Sequence, residues 1–85
     1  MEQKTLTLEI MAPDKPLFKG EVLQVTLPGR RAPFTVLYNH APLLSSLSAG
    51  KICWKDAGGG SELVVDGGFV EVYANTVTVC VETAK

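Results

Sequence analysis

The amino-acid sequence predicts an all-β fold, either a β-sandwich or a small barrel. Apolar residues alternate with polar ones in several stretches, as where Leu6, Leu8 and Ile10 alternate with Thr7 and Glu9, and this is typical of a half-buried strand. Glycine, proline, asparagine and aspartate recur at short intervals between these stretches and favour turns. No stretch has the spacing of an amphipathic helix of useful length. Short strands separated by turns favour a sandwich or barrel.

The first third of the chain contains two predicted strands and a brief return to the core. Residues 5–11 alternate throughout and form the first predicted strand. Residues 12–16 contain two prolines around an aspartate and are expected to break it. Leu17 and Phe18 then re-enter the core, and residues 22–27 form the next predicted strand.

The middle of the chain contains a basic loop. Residues 28–33, Pro-Gly-Arg-Arg-Ala-Pro, are a loop by composition, and we call them the arginine loop. Its two arginines indicate either a solvated loop tip or a patch for an acidic or phosphate-bearing partner. Residues 34–38 form a third predicted strand, and residues 44–48 are either a short strand or a helical turn.

The second half of the chain continues the same pattern of strands and turns. Residues 51–55 are predicted to place Ile52 and Trp54 on one face of a strand. The glycine-rich residues 56–61 form a predicted hairpin tip and not a phosphate-binding loop, since no helix follows them. The remaining predicted elements are strands at 62–65, 69–73 and 76–82, with a turn or bulge at 66–68 and a turn at 74–75.

The length and net charge of the chain restrict the number of domains and the kinds of partner that it is expected to have. The 85 residues form one predicted domain, residues 1–85, with eight to ten strands. The net charge of −1 gives no general attraction to nucleic acid. No run of 18 apolar residues exists to span a bilayer, and residues 1–5 lack the pattern of a secretory signal.

One segment near the middle has the composition of a docking surface. Residues 39–44, Asn-His-Ala-Pro-Leu-Leu, contain the only histidine, and we call them the His40 corner. Pro42 fixes its own φ and disfavours helix at Ala41, so the segment is predicted to be rigid and extended. A rigid segment that displays an imidazole and two leucines is suited to binding a partner. The alternative is an ordinary turn between strands with an exposed histidine.

The sequence offers little material for catalysis. One histidine and two cysteines, Cys53 and Cys80, have no spacing typical of a zinc site, and the two thiols are expected to be reduced. The carboxylates are scattered singly, and no cofactor is expected. The three phenylalanines are expected in the core. Two alternatives remain: a stand-alone ligand-binding sandwich, for example for carbohydrate, and an enzyme that uses Cys53 or Cys80.

An ordered set of segments over residues 6–84 resembles the epsilon subunit of the F-type ATP synthase. Its specific parts are the His-Ala-Pro-Leu run and the later Gly-Gly-Phe-Val-Glu-Val run. The segments that carry the resemblance are residues 8–14, 17–22, 36–44, Gly50, 66–72 and 75–79.

The resemblance implies a fold, a place and a task. The fold would be a β-sandwich of about ten strands. The place would be the rotating central stalk, between the gamma subunit and the membrane-embedded c-ring, peripheral to the cytoplasmic face of the bacterial inner membrane. The subunit would be non-catalytic and would fasten gamma to the ring, so that proton-driven rotation drives ATP synthesis. Membrane association would come only through the complex.

The resemblance also implies contact residues, carried over by position. The gamma-facing residues would be Ala12, His40, Ala41, Pro42, Leu43 and Ser45, with Leu43 or Leu44 as the apolar anchor. The c-ring contact would be Gly29, Arg30 and Arg31 in the arginine loop.

The sequence departs from the family pattern in two places. Many relatives have an acidic loop where this chain has the arginine loop, so its ring contact is expected to use the opposite charge. Many relatives also continue into two C-terminal helices that act as a brake on ATP hydrolysis and in some species bind ATP. This sequence stops at Lys85, either naturally or because it was cut. In both cases we expect no helical brake and no ATP site in these residues.

Overall fold

Every element of regular secondary structure in residues 4–83, the part that this computed structural model describes, is a β-strand. The prediction of an all-β fold is confirmed. What the sequence suggested for residues 1–3 and 84–85 lies outside the described residues. In chain order the strands are β1 (Leu6–Ala12), β2 (Lys15–Val22), β3 (Gln24–Leu27), β4 (Phe34–Leu37), β5 (Leu43–Leu47), β6 (Gly50–Asp56), β7 (Gly59–Tyr73) and β8 (Thr76–Thr83).

The strands form a β-sandwich of two layers, and the long strand β7 belongs to both. Residues 59–65 of β7 pair with β6, whereas the rest of β7 pairs with β8 and β5. The hydrogen-bonded order is β2-β1-β8-β7-β6-β3-β4, with β5 also on β7, and β1 and β8 run parallel. Among the described strands, the end strands β2 and β4 do not pair, so the sheet does not close into a barrel.

Alternating aliphatic residues fill the space between the layers. Leu6, Leu8 and Ile10 of β1 are fully buried, and the buried Val77 and Val79 lie beside Leu8 and Ile10 on the parallel strand β8. Among the described residues no polar or charged residue is fully buried, so the core rests on apolar burial. The alternation predicted for the first and last strands is confirmed.

Several predicted boundaries differ from the structure. The hairpin tip predicted at residues 56–61, for example, is reduced to a turn at residues 57–58 between β6 and β7. Strand β2 begins at Lys15, earlier than expected, because Pro13 and Asp14 alone suffice for the turn. The strand predicted at residues 22–27 is broken at Leu23, where the chain passes from one layer to the other. The turn predicted at residues 66–68 is a bulge at Asp66 within β7, so two predicted strands are one, and residues 4–83 contain eight strands.

Gly68 follows that bulge and pairs with Val81 of β8. Its φ is +144°, which disfavours residues with a side chain. A Cβ at this position would overlap the carbonyl oxygen of Cys80 and approach the Cα of Val81 on the neighbouring strand. Glycine therefore lets β7 pass close to β8 while it changes layer.

The cysteines and the phenylalanines have distinct environments. Cys53 and Cys80 are both free thiols and half-buried. Phe18 and Phe34 pack partly buried against the core, as expected. Phe69 is half exposed, so its prediction as a core residue was wrong: Val70 takes the buried phase of β7 and Phe69 faces outward. No helix in residues 4–83 is long and apolar enough to cross a membrane.

Candidate functional site

The His40 corner begins with a tight turn after β4. The backbone N–H of His40 donates to the carbonyl oxygen of Leu37 at 3.1 Å, and Asn39, the third residue of this turn, has φ +65°. A positive φ at the third residue alone is typical of a type II turn, where asparagine is tolerated. Ala41 and Pro42 then run without helical structure into β5. The prediction that the segment is not helical is confirmed.

The imidazole of His40 is held against its own backbone. Nδ1 lies 2.7 Å from the carbonyl oxygen of Ala41, and because a carbonyl only accepts, Nδ1 carries the proton. His40 is half-buried, whereas Ala41 and Pro42 are exposed. The corner therefore presents a small protruding surface, with the Nε2 edge of the ring left for a partner.

A pair of asparagines joins the His40 corner to the β7–β8 turn. The backbone N–H of Asn39 donates to Oδ1 of Asn75 at 2.6 Å, and Nδ2 of Asn75 donates to Oδ1 of Asn39 at 3.1 Å. The carbonyl oxygen of Asn75 also accepts from the backbone N–H of Thr7 at 2.9 Å. The corner is thereby held to the central strands of one layer.

Successive residues of β5 point to opposite faces, and this separates the predicted contact residues. Leu43 packs against the core and Ser45 lies in the same phase, opposite the buried Val70. Leu44 points outward and is 72% exposed. Of the two leucines considered as an apolar anchor, Leu44 is the more exposed, whereas Leu43 is half-buried.

Leu44 lies in an exposed apolar strip that sequence reasoning missed. It pairs with Glu71 on β7, and the outward-facing neighbours of Glu71 are Phe69 and Tyr73. We call Leu44, Phe69 and Tyr73 the apolar strip. In the alternation of β7, Phe69 and Tyr73 fall on the same face as the charged Glu71 and not on the face of Val70. This pattern was the sequence signal for their exposure. Large exposed apolar residues grouped on one face are typical of interaction sites.

Ala12 does not lie with the other predicted gamma-contact residues. Three strand spacings separate β1 from β5, a distance of roughly 14 Å. Along the strands, Ala12 follows Met11, which pairs with Cys80, and so lies at the opposite end of the layer from the His40 corner. The structure brings together His40, Ala41, Pro42, Leu43 and Ser45 by their closeness in sequence and leaves Ala12 apart.

The arginine loop is hydrogen-bonded to the far end of β5. The backbone N–H of Arg30 donates to the carbonyl oxygen of Ser46 at 3.2 Å, and the N–H of Ser48 donates to that of Pro28 at 2.8 Å. Gly29 and Leu47 form an isolated bridge beside them. The five-residue strand β5 therefore runs from the His40 corner to the arginine loop, over about 13 Å.

Within the arginine loop, Gly29 and the arginines have different roles. Gly29 is half-buried, and a Cβ there would lie 2.5 Å from the carbonyl oxygen of Ala32 and 2.7 Å from the ring of Phe34. Arg30 and Arg31 are exposed, and neither forms an ion pair with any described residue. Glycine thus allows the tight turn, and the two guanidinium groups are free to meet an acidic surface.

A groove lies on the outer face of β3, β6 and β7. Gln24, Cys53, Lys55 and Glu62 line it. Its aromatic residue, Trp54, is 7% exposed and stacks in the core, so it offers no flat surface for a sugar ring. No group of histidine, cysteine and carboxylate residues within 4–83 is placed to hold a metal ion.

A carboxylate at the start of the β1–β2 pair has a perturbed pKa. The hydroxyl of Thr5 donates to Glu21 at 2.7 Å and that of Thr7 at 2.8 Å. Both bonds favour the charged form, and they hold the pKa of Glu21 below its ordinary value of 4.5. Threonine and glutamate here stabilise the pairing of β1 with β2.

Comparison with known proteins identifies a family. Residues 5–85 match the model of the ATP synthase Delta/Epsilon chain beta-sandwich domain. An ATP synthase epsilon chain of Nitratidesulfovibrio vulgaris is 41% identical over 98% of this chain and 62% of its own length. One from Caulobacter vibrioides is 38% identical over 93% of this chain and 92% of its own length. The chain thus spans less than two thirds of the first relative and nearly all of the second.

Solved structures share the fold. A chain in the cryo-EM structure of the Euglena gracilis mitochondrial ATP synthase (OSCP/F1/c-ring) superposes with a TM-score of 0.86 at 22% identity, over 92% of this chain and 51% of that one. A chain in the Tetrahymena thermophila mitochondrial ATP synthase central stalk/c-ring structure gives a TM-score of 0.78 at 17% identity, over 96% of this chain and 66% of that one.

Proposed function

The chain belongs to the family of the ATP synthase delta/epsilon chain beta-sandwich domain, and from this membership we propose that it is a central-stalk subunit of an F-type ATP synthase. In this role it binds the gamma subunit at one surface and the c-ring at another. Rotation of the ring driven by protons then reaches gamma and drives ATP synthesis. The observation that carries the proposal is the position of two exposed, differently built surfaces at the two ends of β5.

The gamma contact is proposed at the His40 corner. The turn at Asn39, the fixed φ of Pro42 and the ring of His40 held on Ala41 all restrict its motion. A surface that is already ordered loses little conformational entropy on binding, so more of the interaction energy appears as affinity. The exposed Leu44, the last residue of the corner, supplies the apolar contact.

The c-ring contact is proposed at the arginine loop. Arg30 and Arg31 are exposed and free of ion pairs to described residues, so they are available to acidic or carbonyl groups of the ring loops. The backbone bonds from Arg30 and Pro28 to the end of β5 hold the loop in place. A force applied at the loop therefore passes into the strand that carries the His40 corner.

The subunit is proposed to have no catalytic role and to bind neither a cofactor nor ATP through residues 1–85. Support comes from the isolated position of His40, whose Nδ1 bonds to backbone, and from half-buried cysteines without a metal-like grouping in 4–83. Its attachment to the cytoplasmic face of the bacterial membrane would come through gamma and the ring. The whole of residues 1–85 would act as one domain.

Binding to gamma tests the proposal. Calorimetry with the gamma subunit of the same organism would compare the wild-type chain with His40→Asp, which places a charge in the corner. We expect the variant to bind roughly tenfold or more weakly, because a buried unpaired charge is costly. The matched control is Ser61→Asp, which adds the same charge at an exposed residue near the start of β7. A wild-type chain that does not bind gamma would overturn the proposal.

A further inference from the structure

The two asparagines that join the His40 corner to the β7–β8 turn lie 36 residues apart in the chain. Asn39 has φ +65° and Asn75 has φ +63°, so both occupy the left-handed region, which asparagine tolerates better than most residues. In each case asparagine suits both the positive φ and the side-chain bond. We call this pair the asparagine clasp.

The clasp holds the corner at the one point where strand pairing does not. Residues 38–42 lie between β4 and β5, and these two strands belong to different layers. No strand pairing in the described residues therefore includes residues 38–42. Apart from the turn bond between His40 and Leu37, the bonds that fix its start come from Asn75. A side chain in the β7–β8 turn therefore determines where the corner sits.

The clasp itself is fixed by the central strands. Tyr73 and Thr76 close the β7–β8 hairpin, whose two turn residues, Ala74 and Asn75, both have positive φ as a type I′ turn requires. The carbonyl oxygen of Asn75 also accepts from Thr7 of β1. The support for the corner is thus continuous with three paired strands.

From this geometry we propose that Asn75 is a positioning residue for partner binding, which acts through Asn39 to hold the His40 corner in its binding conformation. The inference rests on the proposed function. Asn75 is half-buried beneath the corner and is assigned no contact with the partner. Its loss leaves the contact residues in place but lets the corner move, so binding then has to order it.

Three single variants separate this role from a general effect on folding. Asn75→Gly removes both side-chain bonds and keeps the positive φ. Asn75→Asp keeps the acceptor for the N–H of Asn39 and removes the donor to its Oδ1. Ala74→Gly changes the same turn without touching the clasp and is the control.

Calorimetry with gamma gives the first measurement. We expect Asn75→Gly to bind roughly tenfold more weakly, which is about the loss of one or two exposed hydrogen bonds, and Asn75→Asp to fall between it and wild type. Asn39→Gly removes only the bond at Oδ1 of Asn39 and keeps the backbone N–H donor, so it is expected to weaken binding less than Asn75→Gly. The double variant is expected to bind no more weakly than Asn75→Gly, which already lacks both bonds. Equal affinity of Asn75→Gly and Ala74→Gly for gamma would overturn the proposal.

NMR of the free chain gives a second measurement that does not depend on gamma. Asn75→Gly is expected to speed hydrogen exchange at the N–H of Asn39 and to shift the imidazole ¹⁵N signals of His40 toward those of a mobile ring, while Ala74→Gly leaves both unchanged. Unchanged signals in Asn75→Gly would contradict the clasp. If the wild-type chain does not bind gamma, the proposed function fails, and these signals still decide whether the clasp holds the corner.

Discussion

The ring of Phe18 in β2 packs against that of Trp54 in β6, with centroids 4.8 Å apart and planes tilted by 40°. The two strands belong to different layers of the sandwich. The aromatic pair therefore joins the two layers at β2, which is the edge strand of its layer.

Phe18→Ala is expected to lower the free energy of unfolding by about 2 kcal/mol, because it removes a partly buried ring and its aromatic contact. The matched control is Phe69→Ala on the outer face, expected to cost less than about 1 kcal/mol since that ring is half exposed. Urea unfolding of both variants measures the difference. Equal losses would contradict the role of Phe18 in joining the layers.

Ala74→Gly is expected to stabilise the fold. Ala74 has φ +49°, a conformation that costs a residue with a Cβ about 1–2 kcal/mol and glycine almost nothing. After the greater entropy of glycine in the unfolded chain is subtracted, the net gain is about 0.5–1 kcal/mol. Ala57→Gly, in another turn but without a positive φ, is expected to destabilise instead. Thermal unfolding checks both signs, and a loss of stability in Ala74→Gly would refute the type I′ geometry.

Glu21 gives the fold a predictable dependence on pH. The hydroxyls of Thr5 and Thr7 lower its pKa in the folded state, so its contribution to stability is fully present above the ordinary value of 4.5 and is lost as the pH falls through the lowered pKa. Glu21→Gln is expected to lower the Tm at neutral pH and to flatten the decline of Tm between about pH 6 and about pH 3.

The control for Glu21 is Glu71→Gln, an exposed carboxylate that accepts no side-chain hydrogen bond from the described residues. Its decline of Tm with acid is expected to follow the wild type. Identical profiles for Glu21→Gln and wild type would show that the threonine bonds contribute nothing to stability.

Leu44→Asp is expected to weaken binding to gamma about tenfold with little change in Tm, because Leu44 is 72% exposed and is the last residue of the His40 corner. Val64→Asp makes a comparable change at an exposed residue in the part of β7 that pairs with β6, away from β5. This control is expected to bind gamma as the wild type does. Calorimetry with gamma measures both. A greater loss for Val64→Asp would place the contact on the opposite layer.

Local pattern predicted those parts of the fold that are decided locally. The alternation in β1 and β8 gave their buried faces, since period two is a property of the strand itself. Residues 66–68 resemble a turn in sequence, yet Gly67 and Gly68 pair with β8, and β7 continues through a bulge at Asp66. The two glycines favour a turn locally, but their pairing with β8 keeps them in the strand.

The candidate site was predictable in part for the same reason. The turn at Asn39 and the non-helical path through Pro42 follow from these two residues, which act on their own backbone. The clasp with Asn75 joins residues 36 positions apart, and no local pattern indicates it. The separation of Ala12 from the corner likewise depends on strand order.

The most direct test of the central claim is whether this chain links gamma to the c-ring. Gamma would be sedimented with liposomes that contain c-rings of the same organism, with and without the chain. The account predicts that gamma sediments only when the chain is present, and that a double variant, Arg30→Glu with Arg31→Glu, abolishes the link while it still binds gamma. Gamma that stays in the supernatant with the wild-type chain, or sediments equally without it, would contradict the account.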